Sequence, residues 1–186
     1  AARTSFGPSG RPIHDDRGLI RYLLRHRHTT PFEMLSVKFL CRMPIMVARQ
    51  WIRHRTAKVN EMSLRYAEPL EFFYVPDPSK VSVQSKDNKQ GRGEPLTGET
   101  AAIVLDMFTD GQREDVARYR RLADEFGLAK ELARAVLPVS LYTQWVWKID
   151  LHNLMHFLGL RLDAHAQYEI RVFAEAMAQF VRAWAP

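Results

Sequence analysis

Leu35-Ser36-Val37-Lys38-Phe39-Leu40-Cys41-Arg42-Met43 is followed directly by Pro44. Leu35, Val37, Phe39, Cys41 and Met43 fall on one side of an extended chain, with Ser36, Lys38 and Arg42 on the other. This period of two predicts a half-buried strand. Pro44 has no backbone N–H and a fixed φ, so it ends the strand and opens a helix predicted from Ile45 to about His54. Leu141 to Asp150, rich in Trp, Tyr and Val, predicts a second long strand.

Working outward, Asp15 or Asp16 can cap a helix carrying Leu19, Ile20, Leu23 and Leu24 on one side. It ends in Arg25-His26-Arg27-His28, where cations suit the helix dipole. Thr30-Pro31-Phe32-Glu33 reads as a capping box with Thr30 as N-cap, Pro31 at N1 and Glu33 at N3. Glu71 to Val75, between Pro69 and Pro76, predicts a short strand. Asp77 to Thr97 is polar and without period, which predicts a long mobile loop. A helix is expected from Glu99 to Phe126, broken near Gly111 and closed by Gly127. Leu128 to Val136 predicts a shorter helix stopped by Pro138, and His152 to Leu160 another. Ala164 to Trp184 carries Ile170, Phe173, Met177, Phe180 and Trp184 as one stripe, a core face or an oligomer contact. Strands and helices without βαβ alternation point to an α+β fold. The expectation is one domain over residues 1–186, with a mixed or antiparallel sheet flanked by long helices.

The chain has 186 residues, 46% hydrophobic and 26% charged, enough for one real core and too few for two large ones. Its single cysteine, Cys41, excludes an intrachain disulfide and a cysteine metal cluster, and fits a reducing cytoplasm. No apolar run approaches the roughly 20 residues that span a bilayer. Ala1-Ala2-Arg3-Thr4-Ser5 is not followed by the apolar region of a signal peptide. There is no initiator Met, so a preceding segment is expected to be missing. The net charge of +6 favours polyanions or phosphate-bearing small molecules without choosing between them.

Chemistry concentrates between Arg49 and Tyr66. Arg49, Arg53, Arg55, Lys58 and Arg65 are interleaved with His54, Asn60, Glu61 and Ser63. Gln50, Arg53 and His54 are neighbours at i, i+3 and i+4. The guanidinium fork suits phosphate oxygens. A solvated helix face would keep its period and balance its charge at i±4, whereas here the period breaks and only Glu61 is acidic. On these grounds alone a nucleic-acid groove and a small-molecule phosphate site stand level, and Trp51 and Tyr66 do not separate them.

Arg53-His54-Arg55, then seven residues, then Ser63 resembles the signature of the flavin-dependent thymidylate synthases. The likeness runs on through Asn60-Glu61-Met62-Ser63 and Arg65-Tyr66, and upstream through His28 to Glu33 and Ala48 to Trp51. Downstream it takes in Arg134 before Leu137-Pro138, Leu141-Tyr142-Thr143, Asn153 to Arg161 and Asp163 to Ile170. It covers nearly all of the chain except 77–97. The family usually has a further stretch before the segment resembling Ala1 to Gly7.

The resemblance implies a cytoplasmic homotetramer with active sites shared between subunits, methylating dUMP to dTMP. FAD reduced by NADPH would carry the hydride, and methylenetetrahydrofolate would donate the carbon. Nucleic acid and membrane are not among the implied partners. Arg53, His54 and Arg55 would hold FAD, with Thr30 and Glu61 placing the flavin. Asp150, His152 and His156 stand where some members contact FAD. Gln50, Arg53, Glu61, Ser63, Leu64 and Arg65 would bind dUMP, Arg65 on its phosphate, and Arg134 would reach the nucleotide from another subunit. His28 would lie beside the flavin where folate stacks. Arg161 would be catalytic, stabilising negative charge on the uracil edge so that no protein nucleophile is needed. Cys41, on the apolar face of its strand, reads as core rather than as that nucleophile. Ser63 lacks an adjacent general base and reads as a substrate-binding hydroxyl.

Two other readings compete. One is a non-catalytic nucleic-acid domain; the other is a metal hydrolase using His26, His28, His54, His152 and His156. His152 and His156 have a metal-pair spacing, but Asn153 stands where a zincin needs Glu, so no metal is expected.

Overall fold

The computed structural model describes residue 3 and residues 16–184. Asp15, the alternative first cap, and Ala1 to Gly7 lie outside the described residues apart from Arg3. The elements, in chain order, are α1 (Asp16–Arg25), α2 (Thr30–Glu33), β1 (Ser36–Pro44), α3 (Ile45–Trp51), β2 (Lys58–Glu61), β3 (Ser82–Gln84) and β4 (Arg92–Pro95). They continue with α4 (Gly98–Arg120), α5 (Lys130–Ala133), β5 (Tyr142–Asp150), α6 (Leu151–Arg161) and α7 (Tyr168–Trp184). The architecture is α+β.

β1 and β5 pair antiparallel over their full length, from Ser36 opposite Asp150 to Pro44 opposite Tyr142. β2 joins the other edge of β5, giving the order β1-β5-β2. The alternation read from the sequence is realised: Cys41 and Met43 on β1 and Thr143, Trp145, Trp147 and Ile149 on β5 are buried. Leu40 and Val146, opposite each other in register, face outward. A slip of one residue would turn both β5 tryptophans into solvent, so burial fixes the register. Trp51, at the end of α3, packs edge-on to Trp145 and Trp147 at 5.5 and 5.2 Å and stacks on Phe157 at 5.2 Å. Together with Leu154, Ile170 and Met177 these rings form the core between the sheet and α6 and α7.

Pro44 caps α3 in an extended conformation (ψ 145°). The first two free N–H groups of α3 find partners across the fold: Ile45 donates to the Leu141 carbonyl and Met46 to that of Val139, both at 2.9 Å. A helix start is thereby seated on the entry to β5. α3 is shorter than expected. It ends at Trp51, and single turns follow, with Arg53 N–H donating to Gln50 O and His54 N–H to Trp51 O. Burying Trp51 and then turning back to pair β2 with β5 leaves no room for another helical turn.

Several other boundaries move. Thr30 is the first residue of α2, and the N-cap is Thr29 in a helical conformation without a side-chain cap, so the capping box does not form. β2 escapes the sequence reading because Val59 is its one apolar residue. Its charged neighbours suit an edge strand. Glu71–Val75 is not a strand: Glu71 has φ 53°, which breaks the extended run, and one bridge remains between Phe73 and Leu141. The segment 77–97 has structure that its composition hides. Asp77 caps a 3-10 turn at Pro78–Lys80, and β3 and β4 form a hairpin. The Gln84 side-chain amide closes the tip, donating to the carbonyls of Lys89 and Gly91 at 3.0 Å. The hairpin is tied to the body through Glu169, which is 4% exposed and accepts from Arg92 Nη2 at 2.5 Å and from the Tyr74 hydroxyl. α4 passes Gly111 unbroken and widens into a π-helical turn at Arg121–Glu125. Gly127 follows at φ 63°, as its C-cap reading requires. α7 begins at Tyr168, because Ala164–Gln167 is a turn closed on Asp163. Ile170 and Met177 of its stripe are buried, whereas Phe180 and Trp184 are exposed.

Candidate functional site

The signature residues fall into two groups, one on each side of β2. The first is built on the turn after α3. His54 is held there by its backbone bond to Trp51 and by its ring, which packs edge-on to the buried Phe157 at 4.8 Å. Arg161, the last residue of α6, donates from Nε to His54 Nε2 at 3.0 Å. Arginine has no acceptor atom, so Nε2 must be the unprotonated nitrogen of the imidazole. Burial, with help from Arg161 and His156, depresses the His54 pKa to about 4, which keeps the ring neutral near pH 7. Burial also lowers the Arg161 pKa, and no carboxylate pairs with its guanidinium among the described residues. His156 lies 6.5 Å from His54, ring to ring, with His152 one turn earlier on α6.

The second group begins at Glu61, the last residue of β2. Glu61 Oε1 accepts from the buried Thr143 hydroxyl at 2.6 Å. Met62 N–H bonds to the Gln144 carbonyl at 2.8 Å, extending the pairing with β5. The chain then turns at Ser63-Leu64-Arg65: the Ser63 hydroxyl accepts from Arg65 N–H at 3.3 Å, and its carbonyl accepts from Tyr66 and Ala67. Arg65 reaches Glu131 on α5 at 2.9 Å, and Arg134 Nε donates to the Glu131 carbonyl at 3.3 Å. Arg65 and Arg134 thus both bond to Glu131, one to its carboxylate and the other to its backbone carbonyl.

Arg53 and Arg55 are exposed and have no ion pair among the described residues. Gln50, on α3, has a buried Oε1 with no hydrogen-bond partner among the described residues. A buried acceptor in that state has a hydrogen bond to spare. This donor set, free guanidinium groups beside an unpartnered amide, fits a phosphorylated ligand with N–H groups, as a flavin dinucleotide and a uridine nucleotide both are. The Asp150 carboxylate is already committed to capping α6, accepting from Asn153 N–H at 2.9 Å and Asn153 Nδ2 at 2.7 Å. Its place in the fold therefore needs no cofactor. Thr30 lies on α2, which rests against α6. His28 is exposed and packs near Tyr22, 6.5 Å between rings. Among the described residues no three of His, Cys, Asp and Glu gather as a metal site. Cys41 is buried, and burial pushes its thiol up to about 11, so it is protonated at neutral pH. Thr143 lies within Leu141-Tyr142-Thr143, but its bond to Glu61 spans 82 positions, and nothing local marks Glu131, whose contact with Arg65 spans 66 positions.

Fold and site together define a class: an α+β domain whose described residues include unpaired arginines and a guanidinium without a carboxylate partner. The profile described as thymidylate synthase complementing protein matches residues 1–186, and the chain belongs to that family. It is 53% identical over 189 residues to a protein of Ruegeria pomeroyi named flavin-dependent thymidylate synthase, and 52% identical over 188 residues to one of that name from Gluconobacter oxydans. All of this chain is covered in both cases. It spans 63% and 62% of the lengths of those relatives, somewhat less than two thirds. Among solved structures it is similar to a UMP/dUMP methylase, PolB, from Streptomyces cacaoi. The complex with 5-Br dUMP has a TM-score of 0.84 at 37% identity, covering 97% of this chain and 82% of the other. The complex with 5-Br UMP has a TM-score of 0.82 at 39% identity, covering 89% and 78%.

Proposed function

We propose that the protein containing this chain catalyses reductive methylation of dUMP to dTMP, with methylenetetrahydrofolate as carbon donor and FAD reduced by NADPH. The observation that carries this reading is Arg161, a guanidinium oriented by an imidazole and neutralised by no carboxylate among the described residues. Such a group keeps its full charge for an electron-rich ring edge. Support comes from the relatives' shared name and from the uridine nucleotide analogues bound to PolB.

In this reading Arg65 and Arg134 take the nucleotide phosphate, and Ser63 and Leu64 hold the turn that receives it. Gln50 offers its buried carbonyl to an N–H of the ligand. Arg53 stands between both ligands, and His54, Arg55 and Thr30 border the flavin. Glu61, fixed by Thr143, sets the position of the Ser63 turn. His156 and His152 lie toward the flavin, and His28 toward the folate. The chemistry a bound flavin supplies is hydride donation. Arg161 stabilises negative charge on the uracil so that C5 becomes nucleophilic without a covalent protein adduct. Cys41, protonated and buried, stays out of the reaction.

The two residue groups, separated by β2, fit an assembly in which other subunits complete each site. Outward-facing Leu40, Phe180 and Trp184 offer apolar surface for such contacts, and a cytoplasmic homotetramer is the form proposed. The test is tritium release from 5-tritiated dUMP by the full-length protein. Release and dTMP formation that require FAD, NADPH and methylenetetrahydrofolate together are expected. Flavin-free protein that instead binds DNA with steep salt dependence would overturn the reading.

A further inference from the structure

We infer that His54 is a positioning residue for Arg161, acting through the lone pair of Nε2 and not primarily on the flavin. The inference rests on the uracil-activating role proposed for Arg161.

Three observations converge on it. Arg161 Nε donates to His54 Nε2 at 3.0 Å, which occupies the only acceptor atom of the neutral ring. Phe157, fully buried, backs the imidazole edge-on at 4.8 Å, and the backbone N–H of His54 is tied to Trp51. No carboxylate shares Arg161 among the described residues.

The choice of an imidazole has a chemical consequence. A carboxylate partner would orient the guanidinium equally well but cancel much of its charge. A neutral imidazole orients without cancelling. Engaging Nε leaves the two terminal nitrogens, with their pairs of N–H donors, free to face a ligand. The burial that keeps His54 neutral protects this arrangement. Protonating the ring would replace an acceptor by a donor and set two cations against each other. After burial, the positive charge of Arg161 itself and the neighbouring His156 add to the pressure against protonation. The histidine of the Arg53-His54-Arg55 signature thus serves the arginine at the far end of α6, across 107 positions of sequence.

The stereochemistry of glutamine and asparagine separates this role from others. Glutamine places its side-chain oxygen near the position of Nε2, and asparagine places its oxygen near Nδ1. His54→Ala, His54→Gln and His54→Asn in the full-length protein are compared for flavin content, dUMP affinity and turnover per bound flavin. His54→Ala is expected to lower turnover per bound flavin about 100-fold, the scale of a misplaced catalytic group, with KM for dUMP changed less than about threefold, a fall confined to the transition state. His54→Gln should recover at least about tenfold of that loss, since it restores the acceptor, and His54→Asn should not. Rescue by Asn and not Gln, or a loss that tracks flavin content alone, would overturn the inference.

A ligand-free measurement keeps it testable whatever the reaction proves to be. In nitrogen-15 spectra of the wild-type protein at pH 7, His54 should be the Nδ1–H tautomer with an unprotonated Nε2, and Arg161→Ala should abolish that preference. An Nε2–H tautomer in the wild type would refute the contact. Failure of tritium release alongside the expected tautomer would count against the proposed reaction and not against the positioning of Arg161.

Discussion

The carboxylate of Glu131 lies 2.9 Å from the guanidinium of Arg65, the group proposed to take the nucleotide phosphate. Both side chains are about half exposed. An ion pair of that kind contributes at most about 1 kcal/mol, so a dianionic phosphate can displace it. Glu131→Gln removes the competitor and is expected to tighten dUMP binding by about two- to fivefold, within the range of such a pair. Calorimetric titration checks this, and weaker binding would mean that Glu131 prepares Arg65 for its ligand.

Arg161→Ala removes the group proposed to hold charge on the uracil. Turnover should fall by at least about 100-fold, the scale of losing one such stabilising donor, while FAD remains bound. Steady-state rates together with flavin absorbance decide it; a near wild-type rate would end the proposed role.

His54 also leaves a signature in stability. Its folded-state pKa of about 4 lies below its usual 6.5, so the unfolded chain takes up the proton first. The contribution of the neutral ring is fully present above pH 6.5 and is lost progressively as the pH falls toward 4. His54→Gln should therefore flatten the decline of the urea midpoint between pH 7 and pH 4.5 relative to wild type. Identical slopes would show that His54 titrates normally.

Cys41→Ala should fold and remain active, at a cost of about 1 kcal/mol for the small void. The native thiol, pushed up to about 11, should resist iodoacetamide at pH 8 and react once the protein is unfolded. Mass spectrometry reads both. Loss of activity with normal folding would reopen a covalent mechanism.

Glu169→Gln weakens the tie between the β3–β4 hairpin and α7. Hydrogen bonds to a charged group contribute about 1.5–3 kcal/mol, and Arg92 is partly exposed, so a loss near the lower end is expected. Hydrogen exchange should quicken selectively at residues 82–95. A uniform change across the molecule would place the contribution of Glu169 in the core instead.

The sequence made the β1–β5 pair legible because β1 alternates and β5 is rich in Trp, Tyr and Val, and it made α7 legible through a long stripe. It concealed β2 because an edge strand beside a cationic turn needs only Val59 inside. It concealed the hairpin because the Gln84 side chain and Glu169, rather than alternation, hold it. At the site, the signature arginines stood out by type and spacing. The pairings that fix the site did not: Thr143 with Glu61, Glu131 with Arg65 and His54 with Arg161 each join residues distant in sequence. Asp150 caps α6, a task that its spacing before Asn153 makes local.

Strand β5 carries a further implication. Thr143 near its start steadies Glu61, and Asp150 at its end launches the helix that terminates in Arg161. At about 3.4 Å per residue, these two fixtures sit some 24 Å apart along a single rigid rod. Adding or deleting one residue within that rod would misplace both ends at once, and no adjustment in a neighbouring loop could restore them. Length variation among natural sequences should therefore gather at the hairpin tip, 85–91, and be absent from 143–150.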